Sequence, residues 1–83
     1  MYNGLITCRA LTHAQKLSRL AAGIGCMNEI GRTPQEIAVN GCGYAVRLDA
    51  RCLARVFALM KENGIPQGRA FRYNGTGYEA VIV

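Results

Sequence analysis

Two apolar stripes at helical spacing constrain the fold of this 83-residue chain more than any other feature: Leu17, Leu20, Ala21 and Ile24, then Leu53, Val56, Phe57 and Met60. Each follows a stretch that favours extended structure. Tyr2 to Cys8 is apolar, with Ile6 and Thr7 suited to a strand. Thr12 precedes Gln15 in a capping-box pattern that predicts the first helix start, and Gly23 and Gly25 bring that helix to its end. In the second unit Tyr44, Val46 and Leu48 alternate with Ala45, Arg47 and Asp49, the period of a strand with one buried face. Asp49 is placed to cap the second helix, Asn63-Gly64 ends it, and Pro66 prevents its continuation.

Between the units, Cys26 to Arg32 reads as a weaker strand suited to a sheet edge, because Asn28 and Glu29 interrupt its apolar character. Thr33 to Gly41 reads as a loop with one short helical turn after Pro34. Arg69 to Tyr73 forms a further strand, Asn74 to Gly77 a hairpin turn, and Tyr78 to Val83 the returning strand. This order predicts an α+β, ferredoxin-like βαββαβ sandwich with an antiparallel sheet, two helices on one face and an extra C-terminal strand, all in a single domain over residues 1–83. No segment is left to cover the second face of the sheet. Solvent-tolerant residues or a homodimer are expected to do so, and the unalternated end from Ala80 to Val83 points the same way.

Ten Lys and Arg against five Asp and Glu give a net charge of +5, which favours anionic partners. The basic residues are scattered and form no basic run, a pattern more common on a solvated surface than in a binding footprint. Arginines and Lys61 interrupt every apolar stretch before it reaches the roughly 18 to 20 residues of a membrane span. Cys8, Cys26, Cys42 and Cys52 are widely spaced, and Met1 to Gly4 lacks an export signal, so the expectation is a cytoplasmic protein with reduced thiols. Cys8 and Cys26 read as packing residues. Cys52 reads as an extension of the second helix stripe, although a position at a helix start can also lower a thiol pKa.

Cys42 is the candidate for chemistry. Gly41 and Gly43 remove side-chain bulk on both sides of its thiol, and the loop containing Pro34, Gln35 and Glu36 leads directly to it. The sequence has no P-loop and no GxGxxG pattern, so no cofactor is expected. No metal is expected either, because the cysteine gaps far exceed those of a zinc pair and His13 is the sole histidine. Arg69, Phe71 and Tyr73 share one strand face in a pattern superficially like a single-stranded nucleic-acid platform. The residues alone lead to an accessible thiol on a small basic domain, with two other readings beside it: a homo-oligomeric or protein-binding module in which Cys42 is inert and, ranked last, a nucleic-acid binder.

Pro34-Gln35-Glu36-Ile37 and the run from Asn40 to Leu48 resemble a family of small bacterial selenium/sulfur carrier-like proteins over almost the whole chain. Family members often read Pro-Arg-Glu-Ile-Ser before a Ser-Cys-Gly step. Pro34, Glu36, Ile37, Cys42 and Gly43 agree, whereas Gln35 replaces the arginine, Ala38 replaces the serine, and the loop is one residue longer. The resemblance implies that Cys42 is the thiol of a sulfur or selenium carrier that is not itself an enzyme. It implies a cysteine desulfurase-like donor and an acceptor protein as partners.

Overall fold

A computed structural model of the protein describes residues 2–38, 43–66 and 68–81. Strands β1 (Gly4–Cys8), β2 (Asn28–Arg32), β3 (Tyr44–Leu48), β4 (Ala70–Tyr73) and β5 (Tyr78–Val81) form one sheet in the order β2-β3-β1-β4-β5. All four pairings are antiparallel. Helices α1 (Leu11–Gly23) and α2 (Leu53–Glu62) complete an α+β architecture. The expected weak edge strand is β2, and the added C-terminal strand is β5 at the other edge.

Register determines where the core lies. Ile6 stands opposite Val46 on one side and Ala70 on the other, so these side chains share a face. On that face they meet Ala14, Leu17 and Ala21 of α1 and Leu53, Val56 and Met60 of α2 in one buried cluster. Both helices therefore pack on the same side of the sheet. Each fully buried Leu, Ile or Val of this kind contributes about 1.5–3 kcal/mol, and the two stripes predicted from spacing supply most of the helical half of the core.

Both helices end in the same motif. Gly25 (φ +82) and Gly64 (φ +67) adopt the left-handed conformation just beyond each helix. The next residue's amide reaches back into the last turn: Cys26 to Ala21 O at 2.9 Å and Ile65 to Met60 O at 3.0 Å. Each such residue drops into the core, Cys26 at 5% exposed and Ile65 at 4%. The starts differ. Asp49 accepts the Arg51 amide at 2.9 Å and opens a short 3-10 turn, Ala50–Cys52, ahead of α2. The predicted Thr12 cap of α1 is not formed: the helix begins at Leu11, Ala10 is the extended residue before it, and no side chain caps it. Two residues separate β1 from α1, so the helix must start at once to bring Ala14 and Leu17 onto the sheet.

The second sheet face corrects another expectation. Leu5, Ala45 and Phe71 form a small buried cluster there, and Ile37 from the loop and Tyr78 from β5 pack against it. The chain's own loop thus covers part of a face expected to need solvent-tolerant residues or a second subunit. In β5 Glu79 and Ala80 are exposed, while Val81 packs against the helix-side cluster. Residues 82 and 83 lie outside the described residues.

Candidate functional site

The loop that carries the predicted thiol leaves β2 after Arg32 and enters β3 at Tyr44, which are directly opposed in the sheet. At its base the Thr33 amide donates to the Gly43 carbonyl at 3.1 Å. Pro34 then starts a tight turn, with the Ile37 amide bonded to Pro34 O at 3.1 Å and the Ala38 amide to Gln35 O at 3.3 Å. Proline is compatible with this place because the turn uses its carbonyl and not the amide proton it lacks. Pro34 is half-buried, Gln35 and Glu36 are exposed, and Ile37 anchors the turn on Leu5, Ala45 and Phe71. Gly43 is exposed, and a Cβ added to it would meet no described atom within 4 Å. Cys42 and Gly41 lie outside the described residues, as do residues 39 and 40.

The end of the sheet to which this loop is tied is rich in arginine. Arg9 follows β1, Arg32 ends β2 and Arg69 precedes β4, all three exposed. The Arg32 guanidinium lies 5.3 Å from the Tyr44 ring centroid, and that of Arg69 lies 5.6 Å from the Phe71 ring. Positive charge so placed favours the thiolate of a cysteine in its field and attracts anionic partners. Cys8, fully buried, stands opposite Tyr44 at the same end. Thr7 fixes β4 there: its hydroxyl accepts the Arg69 amide at 2.7 Å. His13 is half-buried on α1, and the described residues contain no group of three or more potential metal ligands. The nucleic-acid platform is disassembled by burial. Phe71 is 5% exposed and so offers no free face to a base, while the exposed Tyr73 ring packs against Tyr78 at 5.2 Å between centroids.

Sequence reasoning missed a pair of sulfurs away from Cys42. Cys26 and Cys52 are joined by a disulfide, with Cα atoms 6.4 Å apart, so the expectation of reduced thiols is corrected at these two positions. The physical reason lies in register and capping together. β2 and β3 pair with Asn28 opposite Leu48, which brings the residues just before β2 beside those just after β3. The turn after α1 then points Cys26 inward, and the 3-10 turn after Asp49 brings Cys52 to it. Cys52 is half-buried, a partner of Cys26 as well as a neighbour of the core stripe. No spacing rule exposes such a pair; the signal was that Cys26 follows a glycine at a helix end while Cys52 follows an aspartate cap.

This disulfide lies at the end of the sheet opposite the Arg32–Tyr44 end. Four residue steps along β3 separate the two ends, roughly 14 Å. An open cleft of 540 Å³ stands over it, lined in part by Cys26, Cys52, Met27, Arg51 and Arg55. Asp49 at its edge binds Arg51 in bidentate fashion, at 3.2 and 3.0 Å. The Arg51 side chain and amide hold the Asp49 carboxyl below the usual aspartate range.

Comparison with known families adds what geometry does not. The family model described as "Putative Se/S carrier protein-like" matches residues 3–71 of the 83-residue chain. The chain belongs to this family. The Se/S carrier-like match takes in β1, both helices, β2, β3 and the whole of the loop from Pro34 to Cys42, but not β5. No curated protein and no solved structure matches the chain. Among the described residues no helix is long and apolar enough to cross a membrane.

Proposed function

We propose that the protein carries sulfur or selenium on Cys42, receiving it from a cysteine desulfurase-like donor and passing it to an acceptor protein. The observation that carries this reading is the family match over residues 3–71, which includes the Pro34-Gln35-Glu36-Ile37 turn and the Cys42-Gly43 step. Three features support it. The loop is tied at its base by the Thr33–Gly43 bond, the space beside Gly43 is open among described atoms, and Arg9, Arg32 and Arg69 bring positive charge to that end of the sheet. The βαββαβ order with β1 and β3 central supports a ferredoxin-like reading of the scaffold.

The transfer needs a thiolate and access more than an enclosed pocket. The Cys42 thiolate attacks the outer sulfur of a donor persulfide. The sulfur–sulfur bond of the donor breaks, the donor leaves as a thiolate, and Cys42 holds the new persulfide. An acceptor thiolate then attacks that outer sulfur and Cys42 is released as a thiolate; with selenium the outer atom changes and the electron count does not. The protein is in this reading a carrier and not an enzyme. Its setting is cytoplasmic, where Cys42 is kept reduced for loading.

The test is incubation with a cysteine desulfurase and sulfur-labelled cysteine, followed by peptide mass spectrometry with and without reductant. A reductant-labile sulfur on the Cys42 peptide is expected. The same amount and distribution of label in Cys42→Ser would overturn the assignment.

A further inference from the structure

We propose that the Cys26–Cys52 disulfide is an exchange-active redox couple, and that the cleft above it admits small thiols bearing a carboxylate. Two kinds of observation meet here. Both cysteines line the cleft, but they are unequally exposed: Cys26 is 5% exposed beneath the turn that ends α1, whereas Cys52 is half-buried. An attacking thiolate therefore reaches the Cys52 sulfur and expels Cys26. Cys52 also lies in the first turn of the helical run that the 3-10 turn after Asp49 opens and α2 continues, where the helix field favours a thiolate.

The cleft supplies the selectivity. Arg51 and Arg55 line it, and Arg51 is already bound by Asp49. Arg55, exposed on the first turn of α2, has no ion-pair partner among the described residues. A cation lining the same cleft attracts the incoming thiolate, and its guanidinium suits a carboxylate on the same molecule. The tripeptide thiol glutathione belongs to this class.

The chemistry balances without a further oxidant. A first glutathione thiolate attacks the Cys52 sulfur, the Cys26–Cys52 bond breaks, and Cys26 leaves as a thiolate that takes up a proton. A second glutathione thiolate attacks the glutathione sulfur of the mixed disulfide and releases Cys52. Two glutathione thiols are oxidised to one glutathione disulfide while two protein thiols form. The reverse sequence oxidises the pair.

The couple stands at the sheet end opposite the Arg32–Tyr44 end and does not rest on the carrier reading, so the experiment is done in Cys42→Ser protein. That protein, folded, is treated with reduced glutathione or with cysteamine at equal thiolate concentration, then alkylated and mapped by mass spectrometry. Glutathione is expected to open Cys26–Cys52 in the folded state about fivefold faster than cysteamine, and Arg55→Gln is expected to erase that preference. With Cys26→Ser, glutathione disulfide is expected to leave glutathione on Cys52. Opening only under denaturant, with or without the Cys26→Ser adduct, would overturn the proposal by marking the bond as a structural link; equal rates for the two thiols, or a preference that survives Arg55→Gln, would overturn the assigned substrate class.

Discussion

The Thr33 amide donates to the Gly43 carbonyl at 3.1 Å, and that bond ties together both arms of the loop that holds Cys42 in sequence. It extends the β2–β3 ladder by one rung beyond Arg32 and Tyr44. The thiol is thereby attached one residue from a fixed point on the sheet.

Gly43 lies at that fixed point with open space where a Cβ would stand, and its φ is not in the left-handed region. Gly43→Ala is therefore expected to change stability by less than about 0.5 kcal/mol. If the glycine serves close approach to Cys42, the same change slows sulfur loading by the desulfurase severalfold. Urea unfolding and single-turnover labelling on one preparation check both halves; unchanged loading would remove Gly43 from the transfer surface.

Ile37 joins the loop to the body of the protein through Leu5, Ala45 and Phe71. Truncation to alanine removes part of a half-buried side chain and is expected to cost about 1–2 kcal/mol. Amide exchange should accelerate around Pro34 to Ala38 while α1 and α2 keep their protection. Loss of protection throughout the sheet instead would mean that Ile37 is needed for the fold and not for loop docking.

How much of this was legible in sequence depended on whether one element or several decided the outcome. The alternation that starts at Tyr44 marks β3, Tyr44–Leu48, because alternation is a local property. The α2 stripe was equally plain, and Leu53, Val56 and Met60 are buried as expected. Thr12 misled because its capping pattern is local while the start of α1 is set by the two-residue link from β1. Ile37 was invisible as a core residue because a loop has no period. Cys26 and Cys52, separated by 26 positions, meet through the β2–β3 register and two helix-end turns, none of which leaves a spacing signature.

Asp49 gives the pH response a definite sign. Its carboxyl is held below the ordinary aspartate value, first by the Arg51 side chain and then by the Arg51 amide. A depressed folded pKa contributes stability that is present above the unfolded value and is lost as pH falls through the folded one. Asp49→Asn keeps an oxygen to cap the 3-10 turn and removes the charge. Wild type is expected to be the more stable protein near pH 7, with the difference closing below about pH 4. A difference independent of pH from 7 to 3 would assign the effect of Asp49 to capping and not to its ion pair.

The Cys26–Cys52 link closes a loop of 26 positions that contains β2, β3 and the Pro34 turn. Restricting an unfolded chain by a loop of that length is worth about 3.5 kcal/mol on the chain-entropy model. For an 83-residue domain that is a large share of a typical stability margin of about 5 kcal/mol or somewhat more. The paired variant Cys26→Ser with Cys52→Ser is expected to lose about that amount in urea, and wild type in excess dithiol should lose a similar amount because it lacks the same restraint. The buried Cys26 site adds a cost of its own to the serine variant, since a hydroxyl there is desolvated. Reduced wild type should consequently be more stable than the double serine variant. A reduced wild type as stable as the oxidised protein would show that the unfolded chain is not loosened by opening the bond, and that the contribution of the pair to stability is packing alone.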